Sequence, residues 1–204
     1  MNFEDFDGLI LDWDGVFTDG RKTAAGDSSF SEIDLMGLNL LRFGFFLKTG
    51  RMLRTAIATG ERNPTAEHVA LREHFDHFIY YCKNKQNSIP ILSESWASTS
   101  SRWMFVFDDV LDFGLAKEVG LRAMVVRPQT TGSKKFAVDQ KLVDVELPES
   151  CGIRHFCEKT LDQVGIFEKV LNHRIDWTSE YQLYWNQRNH ISTKIVDNSQ
   201  TTPG

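Results

Sequence analysis

The sequence predicts an α/β domain in which a parallel β-sheet carries helices on both faces. Short apolar runs alternate along the chain with longer segments of helical periodicity, which is the pattern of repeated βαβ units. The 204 residues, 41% of them hydrophobic and 25% charged, are enough for one globular domain with a sizeable core. Polar side chains follow several of the apolar runs, at the strand ends where such sheets bind ligands.

The predicted strands are short and apolar. Gly8-Leu9-Ile10-Leu11 contains no polar residue, which is typical of a central strand buried on both faces. The polar stretch 21–33, with Gly26-Asp27 at its middle, predicts a β-hairpin that projects from the sheet. The other predicted strands are 55–58, 78–81, 104–107, 123–126 and, as a sixth, 143–147.

Helices are predicted between the strands. Residues 35–47 place apolar side chains on a wide helical face, and Asn63 is a predicted N-cap with Pro64 in the first turn. We expect a loop at 129–133. Further helices are predicted at 88–96, 111–119 and 153–171, the last with a break at Gly165.

The C-terminal region carries an aromatic stripe. Trp177, Tyr181, Tyr184 and Trp185 are spaced as one face of a helix, which we place within 175–191. That face packs on the body or on another subunit, or it forms a platform for an aromatic ligand, and the sequence leaves these alternatives open. Residues 192–204 are polar and predict a disordered tail.

Charge and composition exclude several classes of partner. The net charge of −5, with no basic stripe, disfavours nucleic acid. No apolar run approaches the length of a membrane span, and the acidic N-terminus does not resemble a signal peptide. Three cysteines form no disulfide framework, so we expect reduced thiols and a cytoplasmic location.

The most informative segment is Asp12-Trp13-Asp14-Gly15, directly after the first strand. Side chains at i and i+2 leave a strand on the same side, so both carboxylates point the same way. One carboxylate can act as a nucleophile and the next as an acid and base, and together they can hold a divalent cation. The alternative is an acidic surface turn without chemistry.

Three further polar sites follow later strands. Thr59-Gly60 offers a hydroxyl and a backbone N–H that suit phosphate oxygens. Lys83 and Lys85 follow the next strand, and either lysine can neutralise a phosphate. Asp108-Asp109 ends a buried strand, where a carboxylate pair is costly unless a cation meets it, although an acidic helix cap is the simpler alternative.

This order of sites resembles the haloacid dehalogenase (HAD) superfamily of phosphohydrolases. Asp12-Trp13-Asp14-Gly15-Val16 is similar to its first motif, Thr59-Gly60 to its second, Lys85 to its third and Asp108-Asp109-Val110-Leu111-Asp112 to its fourth. With Thr18-Asp19-Gly20, the first motif resembles the branch of phosphatases acting on octulosonate and nonulosonate sugar phosphates. The resemblance implies a HAD-type, Rossmann-like domain over residues 1–174, without a cap domain.

The resemblance also implies roles for individual residues. Asp12 would be the nucleophile and Asp14 the acid and base, while Thr59 and Lys85 would hold phosphoryl oxygens. Mg²⁺ would be bound by Asp12, by Asp14 through its backbone carbonyl, and by Asp108, with Asp109 in support. The remaining implied residues are substrate contacts: Gly60, Arg62 and Arg154.

The chain departs from the branch at three places. Phe107 stands where the branch has Gly, Met36-Gly37-Leu38-Asn39 where it has Asp-Gly-x-Gly, and Glu61 where it has Arg. All three are expected near the substrate or the metal, and a glutamate there would repel a substrate carboxylate unless Arg62 or Arg154 compensates.

Only short insertions follow the first and second motifs, so the predicted site is open unless another subunit closes it. The resemblance implies a homo-oligomer, with a tetramer favoured, built around the 21–33 hairpin. We therefore expect a Mg²⁺-dependent phosphatase acting on a small phosphorylated keto-sugar acid. The alternatives are a capless phosphatase for another metabolite or a macromolecule, and a non-catalytic scaffold on the same fold.

Overall fold

The computed structural model describes residues 2–199 and contains one parallel sheet. Its strand order is β6-β5-β4-β1-β2-β3-β7, and all six pairings are parallel. The strands are β1 (Gly8–Leu11), β2 (Arg54–Ala58), β3 (His77–Tyr80), β4 (Trp103–Phe107), β5 (Leu121–Val125), β6 (Val145–Leu147) and β7 (Lys194–Asp197). The α/β prediction and its six strands are confirmed, with boundaries shifted by one or two residues.

Eight α-helices cover the sheet within residues 2–199. They are α1 (Glu32–Thr49), α2 (Pro64–Arg72), α3 (Ser88–Trp96), α4 (Phe113–Ala116), α5 (Thr131–Asp139), α6 (Gly152–Gln163), α7 (Phe167–Ile175) and α8 (Ser179–Asn189). Asn63 caps α2 as predicted, because its side chain accepts from the N–H groups of Thr65 and Ala66. Gly165, at φ +73°, separates α6 from α7, as expected.

Alternate side chains of each strand build two separate cores. In β1, Leu9 and Leu11 belong to the core under α1, α2, α6, α7 and α8, whereas Ile10 belongs to the core under α3, α4 and α5. The same alternation runs through β4, where Val106 faces the first core and Phe107 the second. Both faces of the sheet are therefore covered, and ligands reach it at the strand ends.

The predicted hairpin at 21–33 is wrong. This segment contains no strand, and only its tip is closed by backbone hydrogen bonds, from Thr23 N–H to the Asp27 carbonyl and from Gly26 N–H to the Thr23 carbonyl. Its polar groups form hydrogen bonds to the rest of the domain instead of to a second strand. The Ser28 hydroxyl accepts from Trp13 Nε1 (2.8 Å) and from Asn63 Nδ2 (2.9 Å), which holds the segment beside the end of β1.

The expected disordered tail is also wrong over its first part. Lys194–Asp197 forms β7, which extends the sheet beyond β3, and 200–204 lie outside the described residues. Two side-chain contacts reinforce the strand: Tyr80 donates to Asp197 (3.2 Å) and Thr193 to the Ala70 carbonyl (3.2 Å). Without β7, the edge of β3 would present unpaired backbone N–H and C=O groups. This explains why a segment with few apolar residues pairs with β3 as a strand.

Two local predictions need correction. The expected loop at 129–133 contains the start of α5. The helix expected at 111–119 is a 3₁₀ turn (Val110–Asp112) followed by the short α4, because Asp109 and Asp112 form a capping box that tightens this turn.

The aromatic stripe of α8 packs on the body, which is the first of the alternatives left open. Tyr181 and Tyr184 are fully buried against Phe43, with ring centroids at 4.9 and 5.4 Å. Their hydroxyls donate to the side chain and the carbonyl of Asn39. Among residues 2–199, no helix is long and apolar enough to cross a membrane.

Candidate active site

The carboxyl ends of β1, β2, β3 and β4 surround one cavity of about 540 Å³. The predicted residues lining it are Asp12, Asp14, Gly60, Lys85, Asp108 and Asp109. Thr59 precedes Gly60 at the end of β2, where its backbone N–H donates to the Ile79 carbonyl. Four separate segments of the sequence therefore meet at one edge of the sheet.

Lys85 is the buried cation of this site. Only 3% of its side chain is exposed, and its Nζ lies 2.5 Å from Asp12 Oδ1 and also contacts Asp112 Oδ1. Burial alone would lower the pKa of Lys85, but the Asp112 and Asp12 carboxylates outweigh it and raise that pKa. Lys83 is mostly exposed and lies 3.5 Å from Glu61, so the geometry favours Lys85 as the phosphate-site lysine.

The surroundings of Asp12 and Asp108 disfavour the charged forms of both side chains. Burial raises the pKa of Asp12 to about 8, and although Lys85 opposes this, Asp112 and Asp108 add to it. Burial likewise raises the pKa of Asp108 to about 7, with a further contribution from Asp112 and an opposing one from Arg127. Such an excess of carboxylates favours a bound cation.

The acidic cluster has a different membership from the predicted one. Carboxylate oxygens of Asp12, Asp108 and Asp112 lie within 4.8 Å of one another. Asp109, predicted in support of the metal, is exposed and accepts from the Val110 N–H (2.7 Å) as a cap. Asp112 instead is buried, holds Lys85 and accepts from the N–H of Asp109 (3.3 Å).

Two buried side-chain oxygens lie at or next to the site: Asp14 lines the cavity, and Thr59 directly precedes the cavity-lining Gly60. Among the described residues, Asp14 Oδ1 and Thr59 Oγ1 are buried and have no hydrogen-bond partner. The other oxygen of Asp14 pairs with Lys22 Nζ (2.7 Å), which reaches in from the 21–33 segment. Buried polar atoms are normally paired, so unpaired ones at a cavity mark a place for a ligand.

The loop after β1 is shaped by Thr18 and Gly15. The Thr18 hydroxyl accepts from the N–H groups of Gly15 (3.2 Å) and Gly20 (3.0 Å). Gly15 has φ +87°, and a Cβ there would lie 2.0 Å from Asp108 Oδ2. Only glycine fits this contact, which explains why a glycine follows the acidic pair of the first motif.

Two predicted substrate residues lie outside the cavity. Arg62 pairs with Glu67 (3.1 Å) and stacks on the Tyr80 ring at 4.9 Å. Arg154 pairs with Glu158 one turn along α6 and lies against Gly37 of α1. Each guanidinium has an acidic partner four or five residues away: Arg154 and Glu158 both lie on α6, whereas Arg62 precedes α2, which carries Glu67.

The three departures from the resembling branch have different surroundings. Phe107 is fully buried and stacks on Phe105 at 5.2 Å, so it belongs to the core. Met36 lines a separate small cavity beside α8. Glu61 alone lines the candidate active site.

Sequence reasoning missed two cations of the site, Lys22 and Arg127. Lys22 lies in a segment predicted as a distant hairpin. Arg127 follows β5, contacts Asp108 Oδ2 at 2.9 Å and belongs to no recognised motif. Its position directly after a strand was the one signal that pointed to it.

A parallel sheet with helices on both faces and acidic residues after β1 and β4 defines an α/β fold of the Rossmann-like class. This fold is shared with solved structures described as HAD-superfamily hydrolases and phosphatases. A HAD-superfamily hydrolase of subfamily III A from Legionella pneumophila superposes with a TM-score of 0.67 at 22% identity, covering 85% of this chain and 92% of that one.

Two phosphatases superpose comparably. The 3-deoxy-D-manno-octulosonate 8-phosphate phosphatase from Moraxella catarrhalis, solved with magnesium, phosphate and KDO, gives a TM-score of 0.67 at 19% identity, covering 83% of this chain and 94% of that one. The cobalt-bound deoxy-D-mannose-octulosonate 8-phosphate phosphatase from Haemophilus influenzae gives a TM-score of 0.64 at 20% identity. The superposition covers 81% of this chain and 92% of that one. No protein-family model and no curated protein matches the chain.

Proposed function

We propose that this protein is a Mg²⁺-dependent phosphomonoester hydrolase that works through an aspartyl phosphate on Asp12. The observation that carries the proposal is the meeting of two carboxylates, a buried lysine and a second acidic site around one cavity, with Thr59 directly before the cavity-lining Gly60. The fold shared with solved phosphatases supports it.

The donor set of the site suits Mg²⁺. Every candidate ligand is an oxygen, and the carboxylates of Asp12 and Asp108 belong to the cluster within 4.8 Å. We propose that these two carboxylates and the backbone carbonyl of Asp14 hold the ion, while Asp112 orients Lys85. When bound, the ion reduces the repulsion between an anionic nucleophile and an anionic phosphate.

In the first step, a carboxylate oxygen of Asp12 attacks phosphorus and the bond from phosphorus to the ester oxygen breaks. Asp14 gives its proton to the leaving alcohol oxygen, so no alkoxide is released. Thr59 and Lys85 hold the other phosphoryl oxygens and stabilise the negative charge on them. The buried, unpartnered hydroxyl of Thr59 is available for this contact.

In the second step, water attacks phosphorus and the bond to Asp12 breaks. Asp14, now a carboxylate, accepts the proton of that water, and inorganic phosphate leaves. The enzyme returns to its starting protonation state. Both steps use the same two carboxylates, and both of these residues line the one cavity.

For the substrate, we propose a small phosphorylated keto-sugar acid of the octulosonate or nonulosonate type. Solved structures with this fold are named for such a substrate, and one contains KDO. Arg62 and Arg154 do not line the cavity, whereas Lys22, Lys83 and Gly60 do, so we propose that the two lysines meet the substrate carboxylate.

One observation favours a second candidate, a capless phosphatase for a substrate without a carboxylate. Glu61 lines the cavity with more than half of its side chain exposed, and Lys83, 3.5 Å away, offsets part of its charge. A carboxylate substrate would meet this glutamate, whereas a neutral sugar phosphate would not.

We further propose a homo-oligomer, with a tetramer favoured, and a cytoplasmic location. Ile33 and Met36, at the start of α1, are 57% and 42% exposed and would be covered by another copy. All three cysteines are free, which suits a reducing compartment. Light scattering on the purified protein tests the oligomeric state directly.

Phosphate release from matched substrate pairs tests the proposed chemistry and substrate together. Each pair is a phosphorylated keto-sugar acid and the same phosphosugar without its carboxylate, assayed with Mg²⁺ and with EDTA. Mg²⁺-dependent release that favours the acid supports both proposals. Preference for the neutral sugar keeps the chemistry and discards the sugar-acid assignment, and no release from any phosphomonoester contradicts the proposed activity.

A further inference from the structure

Arg127 joins two parts of the candidate metal site. It directly follows β5, and only 10% of its side chain is exposed. Its Nη1 donates to Asp108 Oδ2 at 2.9 Å, and its Nη2 donates to the backbone carbonyl of Gly15. One guanidinium thus binds the carboxylate after β4 and the loop after β1.

The two groups that Arg127 joins are already in close contact. A Cβ on Gly15 would lie 2.0 Å from Asp108 Oδ2, so the loop backbone and the carboxylate touch. Glu149 Oε1, 3.8 Å from Arg127 Nε, holds the guanidinium from its other side. The planar guanidinium of arginine has five N–H donors and can bond to several such partners at once. The compact ammonium group of lysine cannot reproduce this arrangement.

We infer that Arg127 is a positioning residue for cation binding, an inference that rests on the proposed Mg²⁺ site. With Oδ2 held by the guanidinium, the Asp108 carboxylate is fixed in orientation and Oδ1 remains for a cation. The same fork holds the Gly15 carbonyl, one residue after the Asp14 carbonyl that is a proposed ligand, and so restrains the loop next to that ligand. Groups that orient metal ligands in this way commonly contribute 10- to 100-fold, roughly, to metal affinity.

The charge of Arg127 and its positioning hydrogen bonds predict opposite effects of its removal on the affinity for Mg²⁺. A cation next to the site repels Mg²⁺, so if its charge alone mattered, a neutral residue would tighten binding. If its hydrogen bonds position Asp108 and the loop, a neutral residue would weaken binding despite the lost repulsion. The sign of the change in Mg²⁺ affinity therefore distinguishes the two roles.

The test is calorimetric titration of Mg²⁺ into the metal-free protein without substrate, comparing wild type with Arg127→Gln and Arg127→Lys. We expect both variants to bind Mg²⁺ about 10- to 100-fold more weakly. Arg122→Gln is the matched control, because Arg122 lies in β5 and pairs with Asp144 (2.8 Å) outside the cavity. This control is expected to bind as wild type does.

Thermal unfolding in EDTA separates positioning from general stability. A variant that loses stability in EDTA but keeps its Mg²⁺ affinity would overturn the inference, as would unchanged or tighter binding by Arg127→Gln. If Arg127→Gln does not fold, wild-type affinity in Arg127→Lys would also overturn it. Failure of the wild type to bind Mg²⁺ would instead contradict the proposed metal site, and the inference with it.

Discussion

At the scale of single residues, the site combines features that a stable protein would otherwise avoid. Lys85 is buried between Asp12 and Asp112, and the Thr59 hydroxyl is buried with no partner among the described residues. Buried charges and unpaired polar groups cost stability, so proteins keep them mainly where they bind or react. These residues therefore give the most direct tests of the proposed chemistry.

Thr59→Ala is expected to lower activity without lowering stability. The hydroxyl has no hydrogen bond to lose in the unliganded protein, so the free energy of unfolding should change little. Loss of one donor to the phosphoryl oxygens should reduce kcat about 10²- to 10³-fold. Steady-state kinetics and thermal unfolding check both parts, and Thr59→Ser should recover most of the activity. Wild-type kcat in the alanine variant would exclude the proposed contact.

Lys85→Met is expected to destabilise the metal-free protein by about 3–5 kcal/mol, because it leaves two buried carboxylates without their cation. Urea unfolding in EDTA, with both proteins at the same pH, measures this loss. Lys83→Met is the matched control: its lysine is exposed, so a change within about 0.5 kcal/mol is expected. Equal effects of the two substitutions would show that Lys85 is not the buried cation.

At the scale of elements, the sequence predicts best where periodicity and motifs agree. The strand Gly8–Leu11 is predicted to the residue because its unbroken apolar run has no alternative as a surface strand. The cap at Asn63 is predicted because the local hydrogen bonds depend only on neighbouring residues. Both predictions use information contained within a few positions.

The failures involve partners that are distant in sequence. Residues 21–33 were predicted as a hairpin, but Ser28 bonds to Trp13 and Asn63, 15 and 35 positions away. β7 has a weak pattern of its own and exists because the edge of β3 is open to pairing. Arg62 and Arg154 are a different case, because their partners are local: glutamates five and four residues away pair with them, neither arginine lines the cavity, and their substrate roles stay predictions.

The pairing of β7 with β3 predicts opposite outcomes for adjacent proline substitutions. The N–H groups of Lys194 and Asn198 donate to the carbonyls of Asp76, directly before β3, and of Tyr80, at its end. By the two-residue period the N–H of Val196 also donates to β3, while that of Ile195 points away. Val196→Pro should cost about 1–3 kcal/mol through the carbonyl it leaves unpaired. Ile195→Pro should cost less, because proline is tolerated where an edge N–H faces solvent. Thermal unfolding compares them, and equal losses would contradict this register.

At the scale of the whole molecule, the site is open to solvent. The segment from β1 to β2 contains only a loop and α1, and that from β2 to β3 only α2, so neither places a domain over the cavity. The motifs predicted which strand ends meet, because the topology of a parallel sheet brings them to one edge. They could not predict which side chains face that edge from the 21–33 segment or after β5, since Lys22 and Arg127 belong to no recognised motif.

The most direct test of the proposed function is phosphate release by the wild type and by Asp12→Asn with Mg²⁺. Asparagine keeps the shape of the side chain but is a poor nucleophile, so we expect release to fall to background while the thermal unfolding curve shows a folded protein. Mg²⁺-dependent release by the wild type alone would support Asp12 as the residue that carries the phosphoryl group. Equal release by both proteins would contradict the proposed mechanism.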